Sequence, residues 1–289
     1  MPPIELTARA RELGDRLRQL RKAAGLTGQE LADKLGWSTA TVSRTESGYR
    51  KINEMNVVRY AAFCGVEPDR LDELLNLCRE GVSAGFWMPR ELNSLIFYES
   101  TASELHNYEP MAVPGLLQTE HYAAALMSRE QLPPELLRRR VEMRMERQRL
   151  LNQASAVRLR FYVHEQALRL PVGGYQVMNE QMLKLVLLAD VPWISIRILP
   201  IDRGERSTCG GSFVLFEYPE HSPLVYMEDG VVHMFIEDDR AVLKYQRRLD
   251  SIARVALSEK QSRVLLAGLA SRYDRAEGPR DVPRRVANE

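Results

Sequence analysis

The chain has 289 residues, a length that corresponds to about two domains. Hydrophobic residues make up 45% of it and charged residues 27%, which excludes global disorder and a fibrous repeat. Forty basic residues stand against thirty-nine acidic ones, so no overall field marks a polyanionic or membrane partner. Cys64, Cys78 and Cys209 are odd in number and form no C-x-x-C pair, which argues against a disulfide framework or a structural zinc site. No apolar run reaches the roughly 18–20 residues of a membrane span, and Met1 to Arg11 lack the apolar core of a signal peptide. These features predict a cytoplasmic protein with no membrane, metal or cofactor.

The balanced total hides a local asymmetry. Residues 1–52 hold ten Lys/Arg against six Asp/Glu, whereas residues 53–80 hold three against six. A basic front and an acidic back suit a small module that turns one face to a polyanion.

The same eighty residues predict five short helices. Leu13, Leu17 and Leu20 recur at helical spacing and the first helix ends near Gly25. Thr27 to Glu30 follow the S/T-x-x-E capping box, and Leu31, Ala32 and Leu35 give the buried stripe of a second helix that Gly36 stops. Ser38 caps a third helix through Glu46, with Val42 inward and Gly48 closing it. A fourth runs from about Asn53 to Cys64, and a fifth opens after Pro68-Asp69. Two short helices joined by Gly36-Trp37-Ser38 make a helix-turn-helix. The second is read as exposing Thr39, Thr41, Ser43 and Arg44. Short hydroxyls allow close approach to base edges, and an arginine fits the O6/N7 edge of guanine. Arg44 has a blander alternative, pairing with Glu30 or Glu46, and Arg50 and Lys51 are either phosphate contacts or plain loop charges.

Leu26-Thr27-Gly28-Gln29-Glu30-Leu31-Ala32, with Val42-Ser43-Arg44-Thr45-Glu46-Ser47-Gly48, resembles the Cro/repressor-type (XRE) helix-turn-helix family over about residues 13–75. The resemblance implies that Thr39, Ala40, Ser43 and Arg44 face bases. It places Gly28, Gln29, Ser38, Thr41, Arg50 and Lys51 against phosphates, and makes Arg21 and Glu46 a structural ion pair. The family often has Gln where this chain has Gly28, with Gln29 next to it.

Residues 81–90, with Gly81-Val82-Ser83-Ala84-Gly85, read as a linker. Beyond it an α+β domain is predicted over residues 91–273, a mostly antiparallel sheet of about four strands flanked by helices. Glu91 to Tyr108 reads as one helix, Thr119 caps a second through Arg129, and Glu135 to Asn152 is a third. Val157 to Val163 alternates as a half-buried strand does, as do Trp193 to Leu199, Ser212 to Tyr218 and Leu224 to Glu228. Val232 to Ile236 adds a short edge. Met178 to Ala189, Asp238 to Leu257 and Glu259 to Tyr273 read as helices, and residues 274–289 as a disordered tail.

This domain carries Glu99-Ser100-Thr101-Ala102, Tyr108-Glu109-Pro110 and Val113-Pro114-Gly115-Leu116-Leu117-Gln118-Thr119. It also carries Arg147-Gln148, Glu165 to Arg169, Gly173-Gly174 and Ile198-Leu199-Pro200. Together they resemble the C-terminal domain of actinobacterial antitoxin-like regulators of the WhiJ type. The resemblance implies a DNA-binding regulator working beside a small partner protein encoded nearby. It names no catalytic residue.

The motifs of zinc hydrolases, α/β-hydrolases, P-loop enzymes and dinucleotide binders are all missing from the sequence. His164-Glu165 and Glu228-Asp229 with His233 fall at strand ends, where a carboxylate/histidine centre is conceivable, but Glu165 suits a helix start equally well. A non-enzyme is expected. The arginines from Arg138 to Arg149 alternate with Glu135, Glu142 and Glu146 and read as a salt-bridged face. The leading expectation is a sequence-specific transcriptional regulator. Operator DNA is its partner, it forms a homodimer, and a small-molecule ligand in the C-terminal domain is a further option. The alternative is an antitoxin-type module that sequesters a small protein, with DNA binding only autoregulatory.

Overall fold

The computed structural model describes residues 7–80, 85–88, 93–152, 157–203, 210–228 and 233–275. Most of the predicted linker, residues 276–289 of the predicted tail, and Cys209 lie outside the described residues. The chain forms two compact units. Their division does not follow the linear boundary drawn from the sequence, because residues 220–224 and 234–242 belong with the N-terminal unit.

The first unit holds five helices: α1 (Ala8–Ala23), α2 (Gly28–Leu35), α3 (Thr39–Glu46), α4 (Glu54–Phe63) and α5 (Pro68–Glu80). Four of the five starts have a local cause in a capping side chain. Thr7, Thr27, Ser38 and Asn53 accept a hydrogen bond from a backbone N–H of the first turn, and Thr27 with Glu30 completes the capping box. Gly36 ends α2 in the left-handed conformation, φ 68°, which a residue with a Cβ adopts only at a cost. The shared core comprises Leu13, Leu17, Leu31, Ala32, Leu35, Val42, Val57, Tyr60, Ala61, Leu74 and Leu77. Gly14 allows α1 to touch the end of α3, since a Cβ there would stand 2.5 Å from the Glu46 carbonyl oxygen. The unit also contains β1 (Phe86–Trp87) and residues 234–236 of its antiparallel partner β7 (His233–Ile236). Trp87 stacks on Phe235 with ring centroids 4.5 Å apart, and Glu237 accepts a hydrogen bond from the Ala8 amide at the start of α1. These contacts draw residues 234–242 into the first unit.

The second unit is built on β2 (Glu104–Glu109), β3 (Arg158–His164), β4 (Ile194–Leu199), β5 (Phe213–Glu217) and β6 (Leu224–Glu228), in the order β6-β5-β2-β3-β4. Two predictions are corrected here. The described residues contain seven strands rather than about four, and β2–β3 and β3–β4 are parallel. The sheet is therefore mixed, with parallel as well as antiparallel neighbours. The parallel pairing of β3 with β4 follows from their connection, which is long enough to carry α9 (Glu165–Arg169) and α10 (Tyr175–Leu188). The other correction concerns residues 91–108, predicted as one helix. The helix α6 runs only over Asn93–Thr101, and Glu104–Glu109 is the strand between β3 and β5. Ser103 begins the change, its amide donating to the Glu217 carbonyl at 2.9 Å.

Around the sheet stand α7 (Glu120–Met127), α8 (Pro134–Arg147), α11 (Asp239–Val255) and α12 (Glu259–Arg275), so the final helix continues two residues into the predicted tail. Leu105, Leu159, Phe161, Val163, Ile196, Ile198 and Phe216 are buried in the sheet, and Met178, Met182, Leu185, Leu266 and Leu269 in α10 and α12. No helix among the described residues is long and apolar enough to cross a membrane.

Candidate nucleic-acid interface

The turn between α2 and α3 fixes the direction of the second helix. The αL glycine at Gly36 ends one, and two residues later Ser38 opens the other, its Oγ accepting from the Thr41 amide at 3.1 Å. Val42, Thr45 and Glu46 face inward. Thr39, Ala40, Ser43 and Arg44 are left exposed on the outer side. Among the described residues Arg44 enters no ion pair, and its hydrogen bond is a long one of 3.4 Å to the Ala40 carbonyl. Neither Glu30 nor Glu46 takes it. Glu30 is held in the capping box and Glu46 turns to the interior.

Thr41 departs from the sequence reading. Expected on the exposed face, it is buried, its hydroxyl 3.0 Å from Ser38 Oγ and accepting from Arg50 Nη1 at 3.2 Å. At 3.6 residues per turn Thr41 lies on the side of Val42 and Thr45, so the helical period overrides its polarity. Arg50 and Lys51 are exposed in the segment after α3. Gln29 is exposed and donates to Asp33 at 2.8 Å, next to the half-buried Gly28.

Behind this face the structure brings Arg21 and Glu46 together. Arg21 Nε and Nη2 donate to the two Glu46 oxygens at 2.6 and 2.9 Å, and Nη1 donates to the Leu26 carbonyl at 2.8 Å. Tyr60 donates to Glu46 at 2.6 Å. Burial opposes the Glu46 charge, but the donors from Arg21 and Tyr60 outweigh it and hold the carboxyl below its ordinary range. Burial, reinforced by the Glu46 carboxylate, pushes the Tyr60 hydroxyl up. Cys64, half-buried nearby, is pushed up to about 11 by burial and is a packing residue rather than a reactive thiolate.

In the second unit the strand-end carboxylates do not converge. Glu165 is buried, pairs with Arg169 and accepts from the Ile201 amide at 2.9 Å, while His164 Nδ1 accepts from the Gln166 amide. Glu228 and His233 gather separately around the Tyr226 hydroxyl, at 3.2 and 2.8 Å. The basic run divides in two. Arg138, Arg140 and Arg149 pair with glutamates at the surface, whereas Arg144 and Arg147 turn inward. Arg147 forks onto Glu99 at 2.6 and 3.1 Å, and Arg144 donates to Gln118 at 2.9 Å. Glu99, Gln118 and Arg147 are motif residues of this domain, and their spacing along the chain does not reveal that they gather in one cluster.

Glu109 belongs to the same cluster. Burial, and then the Glu228 charge, push its carboxyl up to about 8. The fold favours the neutral acid, so stability is full below the ordinary carboxylate range and falls as pH rises from about 4.5 to about 8. Glu109→Gln, neutral throughout, is expected to match wild type at pH 5 and exceed it at pH 8 by a few kcal/mol. Urea midpoints of both proteins at the two pH values check this.

Residues 12–74 match the family described as a helix-turn-helix domain. The chain is also similar to a solved structure, the restriction-modification controller protein C.AhdI from Aeromonas hydrophila. The identity is 34% over 22% of this chain and 98% of that one, with a TM-score of 0.22. No curated protein matches. The second family match runs over residues 92–268, more than half of the sequence, and the chain thus belongs to the family of the domain of unknown function DUF5753.

Proposed function

We propose that this protein is a sequence-specific transcriptional regulator that reads operator DNA through α3. The observation that carries the reading is the outer side of that helix: Thr39, Ala40, Ser43 and Arg44, all exposed, with no acidic partner to Arg44 among the described residues. The helix-turn-helix match over residues 12–74 supports a DNA-binding regulator. In this reading Arg44 meets a guanine edge while Thr39, Ala40 and Ser43 lie along the major groove. Ser38, the α2 start at Gly28 and Gln29, Arg50 and Lys51 hold phosphates. Thr41 contributes by holding Arg50 rather than by touching the backbone itself. The protein acts as a homodimer, since one module this small makes few base contacts and a two-fold pair places recognition helices about 34 Å apart. The C-terminal domain, antitoxin-like in its motifs, supplies dimerisation, partner binding or signal input, and no catalysis.

The test is binding to a duplex selected from a random pool and to its scrambled counterpart, at two salt concentrations. Arg44→Ala is expected to lose about 1–3 kcal/mol of discrimination. Lys51→Ala is expected to weaken both duplexes alike and reduce the salt slope by about one. Equal affinity of the wild-type protein for both duplexes would overturn the proposal.

A further inference from the structure

The strand β2 places two potential ligands on one side of the sheet, because side chains two residues apart share a face. They are Glu104 and His106, and Glu217 of β5 lies directly opposite Glu104 in the antiparallel register. His106 Nε2 is 3.5 Å from Glu104 Oε1 and 3.5 Å from Glu217 Oε2. One ligand atom from each residue lies within 4.8 Å of the other two. Both nitrogen–oxygen distances exceed the about 2.7–3.2 Å of a good N–H···O hydrogen bond. His106 is nine-tenths buried, and its Nδ1 has no hydrogen-bond partner among the described residues.

Such spacing is long for a hydrogen bond but suits the edges of a coordination polyhedron. A point equidistant from the three atoms lies no more than about 2.4 Å from each, close to the about 2.0–2.2 Å of zinc–nitrogen and zinc–oxygen bonds. A proton on Nδ1 leaves the Nε2 lone pair free to bind an ion.

We propose that Glu104, His106 and Glu217 form a site for a divalent transition-metal ion of the zinc class. One imidazole and two carboxylates select such an ion over magnesium or calcium, which take oxygen ligands in larger number. Three protein ligands leave a fourth position for water or an incoming group. The ion would tie β2 to β5, and its charge would be balanced by the two carboxylates. Arg160 works against it, since its guanidinium pairs with the same Glu104 oxygen and is itself partly exposed.

The experiment uses the full-length, tag-free chain stripped with chelator, and titrates zinc by calorimetry and cobalt by visible absorption. One equivalent of zinc and the absorption of four-coordinate cobalt are expected. His106→Ala is expected to lower affinity at least a hundredfold and Glu217→Gln about tenfold. Arg160→Gln is expected to tighten binding severalfold by freeing Glu104. Because Glu217 is partly exposed, its variant tests the site without disturbing a buried position. No saturable binding by wild type overturns the proposal. So does binding that His106→Ala and Glu217→Gln leave unchanged, which would place the ion elsewhere on the chain.

Discussion

Arg21→Ala is expected to cost the helix-turn-helix unit about 3–5 kcal/mol, the usual loss when one member of a buried ion pair is removed. Arg21 supplies Glu46 with two of its three donors and also ties down the Leu26 carbonyl. Without it a carboxylate with 7% of its side-chain surface exposed keeps only the Tyr60 hydroxyl. Since α1 and α3 meet at this pair and at Gly14, the loss should free α3 as a whole. Amide exchange of Val42 and Thr45 in the full chain reads it out, with acceleration of at least about a hundredfold expected. The acid response gives a second readout. The folded carboxyl of Glu46 sits below its ordinary range, so the wild-type unit keeps this contribution above that range and loses it as pH falls through the folded value. The variant should lose most of that dependence. Arg21→Met with Glu46→Leu should recover most of the stability, because an apolar pair of similar volume carries no stranded charge. A variant within about 1 kcal/mol of wild type would show that the pair is not a fastening of the unit.

The parts legible in the sequence were those where local chemistry and tertiary packing agree. The capping residues Thr27 and Ser38 and the αL glycine at Gly36 mark helix ends by themselves, and β3 and β4 alternate over apolar positions. The strand β2 carried no such mark. It lies between β3 and β5 with His106, Asn107 and Tyr108 all buried, so inside and outside do not alternate along it. Leu105 and Tyr108, three apart, extended the helical spacing of the preceding segment. That misreading also concealed the proposed metal site. On a helix Glu104 and His106 diverge by about 200°, whereas on a strand they point the same way. The inward turn of Arg144 and Arg147 was hidden by composition: the run of arginines suggested a solvated face, although Arg144 lies one turn from the buried Val141.

Arg147→Ala should be the most damaging single change in the DUF5753 domain, at about 3–5 kcal/mol. The guanidinium and its Glu99 partner have 9% and 6% of their side-chain surface exposed and meet in a two-point fork. Burial opposes the arginine's charge, but the Glu99 partner more than compensates and holds the Arg147 guanidinium above its ordinary range. Truncation would leave the buried Glu99 carboxyl without its two-point partner. It would also detach the end of α8 from α6. Arg147→Lys should recover only part of the loss, because an ammonium cannot reproduce the planar fork. Glu99→Gln should be costly as well, since it leaves the arginine unneutralised. Urea unfolding followed through Trp193, whose indole donates to the Leu151 carbonyl just beyond α8, reports on this region. If Arg147→Ala and Arg147→Lys unfolded at the same urea concentration as wild type, the fork would be incidental. The coincidence of Glu99 and Arg147 among the domain's motif residues would then need a reason other than stability.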